Sequence, residues 1–207
     1  MNDNIFSYIN ELISDAPEVI KEIERNNLVG SNIYPIIGRE AGRFLYSFIL
    51  ANQPKTILEL GTGCGYATIF MALAAKQYGG KVVSVDCNKE MIDVAKDNVL
   101  KAACIDSVEL QVEDAHNYVL KSQSQFDLIL QDTYPALYSV MLDDCIKLLT
   151  KHRCLITHDA LVEPLNAPKK MVDDMNDFNR LLMQHKKLQS SIIPVNDGLW
   201  LSVKNQL

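Results

Sequence analysis

The chain has 207 residues, of which 48% are apolar and 22% charged, values typical of a globular protein that buries a substantial core. No stretch approaches the roughly eighteen apolar residues of a membrane span, and the first residues lack the basic and then apolar pattern of a secretory signal. We therefore expect a cytoplasmic protein without a membrane partner.

The net charge of −6 argues against a nucleic acid partner without excluding one. The five cysteines are scattered along the chain, which argues against a disulfide framework or a zinc cluster.

Up to about residue 52 the sequence has helical periodicity. Two short amphipathic helices are predicted first, followed by a third over residues 39–52, where apolar side chains recur at helical spacing. The first of these helices carries Ile5, Phe6 and Ile9. Because a free appendage needs fewer apolar side chains, we expect these helices to cover a partner subunit or the entrance for a substrate.

From residue 55 onward, short apolar runs alternate with helical stretches. The apolar runs cover residues 56–60, 81–86, 107–112, 126–132 and 154–159. Apolar on both faces and separated by helices, they predict a parallel sheet that is covered on both sides.

The last part of the chain has a different pattern. A helix is predicted over residues 169–187, and the pair Asp197-Gly198 lies between two final strand-like runs, which is typical of a hairpin. The predicted fold is therefore a Rossmann-like, doubly wound α/β sheet of seven strands, mostly parallel with one antiparallel strand near the C-terminus and helices on both faces. We expect residues 1–207 to form a single domain, with residues 1–52 as helices packed on its core.

In the segment ILELGTGCGYAT, residues 57–68, a predicted strand carries Glu59. Three glycines, Gly61, Gly63 and Gly65, follow that strand. Glycines at this place let the backbone turn tightly and approach a ligand at the carboxyl edge of the sheet. Their spacing is not that of a pyrophosphate-binding or triphosphate-binding loop. The carboxylate of Glu59 suits a ligand with an ammonium or sulfonium group better than one with phosphates. The alternative is a tight turn without a ligand.

Two further acids follow the next two strands. Asp86 ends the second strand, where a carboxylate can accept both hydroxyls of a ribose; the alternative is a helix cap, a role that Asn88 fills equally well. Asp114 lies just beyond the third strand, where it can accept a hydrogen bond from an adenine amino group or cap the following helix. Acids at three successive strand ends indicate one ligand site more strongly than any of them alone.

These motifs, together with VVSVDCNKEMIDVAKDNV, EDAHNYV and FDLILQD in the same order, resemble the class I S-adenosylmethionine-dependent methyltransferases. More narrowly, they resemble the small O-methyltransferases of the catechol and caffeoyl-CoA type, from about Pro35 to the C-terminus. The resemblance implies an enzyme that uses S-adenosyl-L-methionine to methylate a small hydroxylated acceptor, aromatic acceptors included, and that forms a homodimer.

The resemblance also implies which residues contact the cofactor. Glu59 would meet the methionine ammonium, Asp86 the ribose, and Asp114 with Ala115 the adenine. The implied cofactor-binding residues are Glu59, Gly61, Thr62, Gly63, Gly65, Tyr66, Asp86, Cys87, Asp114, Ala115 and Asp132.

The catalytic positions of that family match only in part. The family holds a divalent cation, usually Mg²⁺, with two aspartates and an asparagine, and a nearby lysine helps to deprotonate the acceptor. Asp132 and Asp159 match the two aspartates and are the candidate catalytic residues and candidate metal ligands. The asparagine position is Ala160, which has no ligand atom, and the lysine position is Pro135, which accepts no proton. Since Mg²⁺ demands near-octahedral oxygen coordination, we expect weak or absent divalent-ion binding without acceptor, with the two aspartates holding the substrate or a water.

His158, directly before Asp159, is a second candidate for a general base near neutral pH. Neighbouring residues of a strand point to opposite faces unless the strand has already ended. We therefore interpret His158 as a structural or solvent-facing residue.

Two other functions fit parts of the pattern. Some relatives methylate a hydroxyuridine in tRNA, although the acidic charge of this chain argues against RNA. The residues at positions 135 and 160 favour a non-catalytic S-adenosylmethionine-binding module. No pattern in the sequence specifies the acceptor.

Overall fold

The computed structural model describes residues 8–9, 11–13, 15–29 and 35–205. The helices are Glu18–Val29 (α1), Arg39–Asn52 (α2), Tyr66–Ala75 (α3), Lys89–Lys101 (α4), Ala115–Lys121 (α5), Tyr138–Leu148 (α6) and Lys169–Gln184 (α7). The strands are Thr56–Leu60 (β1), Lys81–Asp86 (β2), Val108–Val112 (β3), Phe126–Gln131 (β4), Leu149–Thr157 (β5), Leu188–Ile193 (β6) and Leu199–Lys204 (β7).

The seven strands form one sheet in the order β3-β2-β1-β4-β5-β7-β6. Strands β1 to β5 pair in parallel, and β7 runs antiparallel to both of its neighbours. The predicted fold class is confirmed, including the final hairpin and the single reversed strand.

Each face of the sheet has its own hydrophobic core, because successive side chains of a strand point to opposite faces. Ile57 of β1 packs into the core beneath α2 and α3, and its neighbour Leu58 packs into the core beneath α6 and α7. Both side chains are fully buried. This alternation explains why the strand sequences are apolar throughout.

The helices before the sheet pack into the first of these cores. Ile20 of α1 and Leu45 of α2 are fully buried there. Gly42 lets α2 approach α3 closely, since a Cβ at this position would lie 2.5 Å from the ring of Phe70. Part of the first predicted helix, with Ile5 and Phe6, lies outside the described residues.

The strand order reverses at β1. From β1 the chain builds outward through β2 and β3, and then returns to place β4 on the other side of β1. In open α/β sheets a crevice for ligands forms at the carboxyl ends of the strands beside such a reversal. The glycine turn and Asp132 follow the two strands that flank this crevice.

The fifth strand differs from its prediction at both ends. The structure has it over Leu149–Thr157, not 154–159. It begins earlier because it continues directly from α6, and it ends before His158. No helix in the described part of the chain is long and apolar enough to cross a membrane.

Candidate active site

The turn after β1 is held by close contact with the strands on either side. Gly61 has φ +100°, and a Cβ there would lie 2.1 Å from the carbonyl oxygen of Asp132. Its N–H donates to the carbonyl of Val85 at 2.9 Å, and the N–H of Asp132 donates to that of Leu60 at 2.8 Å. A side chain at position 61 would force these strand ends apart.

The other two glycines of the turn differ in their surroundings. Gly65 has φ +84°, and a Cβ there would lie 3.1 Å from Ala95 of α4. Gly63 has φ +50° and no atom within 4 Å of a Cβ position. Gly65 therefore serves packing, whereas Gly63 leaves open space beside the backbone at the carboxyl edge.

Asp86 connects the end of β2 to this turn. Its Oδ2 accepts a hydrogen bond from the N–H of Gly63 at 2.9 Å, and its Oδ1 accepts one from the N–H of Asn88 at 2.8 Å. Asn88 itself caps α4, because its side-chain oxygen accepts from the N–H of Glu90 at 2.9 Å. Asp86 is thus not the cap of this helix, and its carboxylate lies at the crevice.

Asp114 does cap a helix. Its Oδ1 accepts from the N–H of Asn117 at 2.8 Å at the start of α5, and Ala115 is the buried first residue of that helix. A carboxylate offers about four acceptor positions, so capping leaves Asp114 able to accept a further hydrogen bond from a ligand.

Glu59 is a fully buried acid at the centre of the site. Its Oε2 accepts hydrogen bonds from the hydroxyls of Thr68 and Ser84, both at 2.5 Å. Its Oε1 is buried and has no hydrogen-bond partner among the described residues. Burial raises the pKa of Glu59 to about 8, against the lowering effect of the two hydroxyls. The unpaired oxygen is suited to receive an ammonium group, because a buried acceptor without a partner is costly.

Thr62 completes this network. Its hydroxyl lies 2.6 Å from that of Ser84, and it must act as donor because Ser84 uses its single hydrogen on Glu59. Sequence reasoning missed both Thr68 and Ser84. The one signal available for Ser84 was a polar residue inside an otherwise apolar strand.

Tyr66 and Cys87 are placed differently from the other predicted cofactor residues. The hydroxyl of Tyr66 donates to Glu24 of α1 at 2.6 Å, and its ring is buried in the first core. Its side chain therefore joins two helices, and its backbone lies at the first turn of α3. Cys87 is an exposed free thiol just beyond β2.

The acids after β4 and β5 converge on an imidazole. Asp159 follows the strand end with φ +67°, a left-handed conformation that turns the chain and that aspartate tolerates. Nδ1 of His158 lies 2.9 Å from Oδ1 of Asp132 and 3.4 Å from Oδ1 of Asp159. His158 is 5% exposed, so of the two alternatives, structural or solvent-facing, the solvent-facing one is wrong. It assumed a strand that continues to residue 159.

Asp197 joins this cluster from the turn between β6 and β7. The N–H of Leu161 donates to the carbonyl of Asp197 at 2.8 Å, and the N–H of Ala160 donates to that of Gly198 at 3.2 Å. These bonds place Oδ2 of Asp197 3.9 Å from Nε2 of His158. We call His158, Asp132, Asp159 and Asp197 the imidazole cluster.

The imidazole cluster has unusual proton affinities. Burial lowers the pKa of His158, but the three carboxylates outweigh this effect and raise it to about 9. Burial raises the pKa of Asp159 to about 6, although the neighbouring imidazole opposes this shift. Without a ligand, His158 is therefore mainly an imidazolium at neutral pH.

The residues present do not fit the Mg²⁺ site of the resembling family. Ala160 is 4% exposed and supplies no donor atom, and the Oδ1 atoms of both candidate ligands, Asp132 and Asp159, face His158. The ligand atoms of His158, Asp159 and Asp197 lie within 4.8 Å of one another. One ring nitrogen of His158 is therefore near an oxygen of both carboxylates, and these three side chains could hold a metal ion. This set differs from the two aspartates and the asparagine of the family's Mg²⁺ site.

Comparison with known proteins identifies the family. The model of a family described as O-methyltransferase matches residues 10–205. The chain belongs to the O-methyltransferase family. The resemblance noted in the sequence is confirmed, and so is the prediction that the chain is a methyltransferase enzyme.

Individual relatives are distant but similar in length. A catechol O-methyltransferase of Niastella koreensis is 24% identical, over 98% of this chain and 99% of the relative. A caffeoyl-CoA O-methyltransferase of Eucalyptus gunnii is 26% identical, over 100% of this chain and 89% of the relative. The crystal structure of an O-methyltransferase from Bacillus cereus in complex with SAH superposes with a TM-score of 0.82 at 19% identity, covering 98% of this chain and 97% of that one.

The two glycines of the turn provide a test of the packing role assigned to Gly61. We expect Gly61→Ala to lower the free energy of unfolding by more than about 2 kcal/mol, because its Cβ would meet the backbone of β4. Gly63→Ala meets no neighbouring atom, so we expect a smaller loss, about 1 kcal/mol, from its positive φ. Urea denaturation measures both values. Equal losses in the two variants would contradict the packing role assigned to Gly61.

Proposed function

We propose that the chain transfers a methyl group from S-adenosyl-L-methionine to the hydroxyl of a small acceptor, and that the acceptor is phenolic. The observation that carries the cofactor assignment is the buried, unpaired Oε1 of Glu59 beside a glycine turn at the crevice. An ammonium group there would satisfy both its charge and its hydrogen-bonding capacity. The cofactor supplies an electrophilic methyl group on a sulfonium centre.

Each predicted cofactor residue has a distinct task in this proposal. Glu59 pairs with the ammonium, and the backbone at Gly61 and Gly63 lets the ligand approach the turn. Asp86, which already orders that turn, accepts the ribose hydroxyls, and Asp114 accepts the adenine amino group. Thr62 and Ala115 shape the floor of the site, and Tyr66 and Cys87 contribute backbone contacts.

Asp132 stands between the cofactor side and the acceptor side of the site. Its carbonyl oxygen contacts Gly61 and its carboxylate contacts His158. We propose that Asp132 and Asp159 are the catalytic carboxylates, and that they hold the acceptor or a water.

The charge of the acceptor side favours a neutral or cationic acceptor. Asp132, Asp159 and Asp197 surround one imidazole, so the cluster carries a net negative charge even when His158 is protonated. Phosphates would be repelled there. This argues against tRNA as the acceptor and supports a small phenol, the class to which catechol belongs.

We also propose that residues 1–207 act as one domain in a cytoplasmic homodimer. The burial of α1 and α2 in the core of the sheet supports a single domain, and free thiols are compatible with a reducing compartment. Tyr8 and Leu12 are 62% and 65% exposed. Their apolar surface supports a contact with a second copy.

Cofactor binding should release a proton. At pH 7 the carboxyl of Glu59, with a pKa of about 8, is mainly protonated, and pairing with an ammonium requires the ionised form. We expect calorimetry to give an approximately micromolar dissociation constant and close to one proton released, measured in buffers of different ionisation enthalpy. In Glu59→Gln the proton release should vanish and affinity should fall roughly tenfold or more. Glu109→Gln, an exposed change on β3, is the matched control.

No heat at millimolar S-adenosylmethionine would reject the proposed cofactor. Binding with the same proton release in Glu59→Gln would instead reject only the role of that residue.

Methyl transfer should be detectable with catechol-type phenols. Incubation with the cofactor and a panel of phenols, followed by mass spectrometry, should show acceptors that gain one methyl group, whereas unmodified tRNA should gain none. Methylation of tRNA alone would favour the RNA-modifying alternative. Cofactor binding without transfer to any acceptor would favour a non-catalytic binding module.

Light scattering tests the proposed dimer. At micromolar concentration we expect a mass about twice that of the 23.3 kDa chain. Leu12→Asp places a charge on the exposed apolar surface and should shift the mass toward the monomer. A monomeric mass for the unmodified chain would contradict the proposal.

A further inference from the structure

The imidazole of His158 has one ring nitrogen in use and one without a partner. Nδ1 forms a hydrogen bond of 2.9 Å with Oδ1 of Asp132. Nε2 is buried and has no hydrogen-bond partner among the described residues, and the whole residue is buried. Since buried polar atoms are almost always paired, the unpaired Nε2 marks a place for a ligand.

Two carboxylates lie close to this imidazole. Oδ2 of Asp197 is 3.9 Å from Nε2, and Oδ1 of Asp159 is 3.4 Å from Nδ1. One ligand atom from each of the three side chains lies within 4.8 Å of the other two. Donor atoms around a tetrahedral zinc ion are about 3.3 Å apart, because each bond is about 2.0–2.1 Å long. The three side chains would therefore have to approach one another by no more than about 1.5 Å.

Asp197 has the freedom for such an approach. Its side chain is 40% exposed, whereas those of His158 and Asp159 are 7% and 11% exposed. It lies in the turn between β6 and β7, whose backbone is held by a hydrogen bond from the N–H of Leu161. The cluster thus has two fixed side chains and a third that can adjust to an ion.

We propose that Nε2 of His158, Asp159 and Asp197 form a binding site for a transition-metal dication, Zn²⁺ in particular. Asp132 is not a ligand of this site. Its carboxylate accepts from Nδ1–H and so holds the ring with Nε2 free to bind the ion, an arrangement that is common among metal-binding histidines. The site keeps one aspartate of the family's Mg²⁺ site, gives the other a positioning role and adds two ligands.

The ligand atoms favour zinc over magnesium. An imidazole nitrogen suits Zn²⁺, whereas Mg²⁺ takes oxygen ligands in near-octahedral geometry. The buried Ala160 supplies no oxygen from its side chain. The weak divalent-ion binding expected from Ala160 therefore concerns Mg²⁺, since that expectation did not include an imidazole among the ligands.

The charges around the ring also favour a dication. Carboxylates face His158 from the ends of β4 and β5 and from the turn before β7. These three negative charges outnumber the single positive charge of a protonated imidazole. A metal ion takes the place of the proton on Nε2, because histidine binds metals in its neutral form. The exchange adds one positive charge and brings the cluster closer to neutrality.

Binding of the ion does not depend on the proposed methyl transfer, whereas its role in that reaction does. When bound, Zn²⁺ supplies a Lewis acid that favours the loss of the proton from an acceptor hydroxyl. The acceptor side would then differ from that of the resembling family in its metal ion and in two of its ligands.

Metal binding is measured on chelator-treated protein, without cofactor or acceptor. We expect calorimetry to show one Zn²⁺ site with a dissociation constant below about 10 μM, and Mg²⁺ binding at least about 100-fold weaker. The absence of a Zn²⁺ site would overturn the proposal, and so would Mg²⁺ bound as tightly as Zn²⁺.

Two variants separate this site from the one used by the family. His158→Asn keeps an amide that can donate to Asp132 but has no counterpart of Nε2, and should weaken Zn²⁺ binding about 100-fold or more. Asp197→Asn should weaken it about tenfold or more. Asp197 has no part in the family's site, so unchanged affinity in this variant would overturn the proposal. Because Asp197 is half-exposed, the variant tests the site even if His158→Asn does not fold.

His152→Asn is the matched control for adventitious binding to histidine. His152 is exposed on β5, and its replacement should leave Zn²⁺ affinity unchanged. A loss as large as that of His158→Asn would place the ion elsewhere and overturn the proposal.

The failures of the two proposals are distinguishable. A protein that binds zinc at this site but no S-adenosylmethionine would reject the proposed function and leave the metal site. Methyl transfer by a protein that binds no zinc would reject the metal site and leave the proposed function.

Discussion

The contact between Gly61 and the carbonyl of Asp132 is the constraint on which both halves of the site depend. It sets the separation of β1 and β4 where the strand order reverses, and hydrogen bonds from Gly61 to Val85 and from Asp132 to Leu60 continue the sheet through that point. The proposed cofactor side is built on the first of these strands and the proposed acceptor side on the second. Because the packing leaves no room for a Cβ, the two sides keep a fixed relation to each other.

Buried carboxyl groups are the second organising feature of the site. Glu59 is fully buried, and the imidazole cluster contains three carboxylates. Such groups resist ionisation unless a positive charge or a hydrogen-bond donor is supplied. Two hydroxyls partly stabilise Glu59, and His158 partly neutralises the cluster. A ligand that carries ammonium and sulfonium groups would supply the remaining charge, so the protein and a cationic cofactor are electrostatically complementary before any shape is considered.

The fold, and the position of the glycines and acids at one edge of the sheet, could be predicted because their signals are local. Alternating apolar runs and helices specify the sheet, and glycines or acids directly after a strand lie at its carboxyl edge whatever the rest of the chain does. The positions of the side chains around His158 could not be predicted, because they depend on backbone conformations and long-range contacts that have no local sequence signal. The fifth strand ends at Thr157, before His158, and Asp159 adopts φ +67°. Asp197 reaches the ring of His158 from a turn 39 positions further along the sequence. Thr68 and Ser84 were missed for a related reason, since only the folded network shows which hydroxyls meet Glu59.

The two departures from the family pattern, Ala160 and Pro135, both fit the backbone at their positions. The backbone of Ala160 holds the loop after β5 in place. Its N–H donates to the carbonyl of Gly198, and its carbonyl accepts a hydrogen bond from the side chain of Asn179. The loop therefore keeps its position without a metal-binding side chain at residue 160. Pro135 begins the short helical turn that precedes α6, where its ring suits the backbone. Asp132 and Asp159 each have a contact with the imidazole of His158. Retained carboxylates are therefore weak evidence for a retained metal, and the residue next to them in space decides what they do.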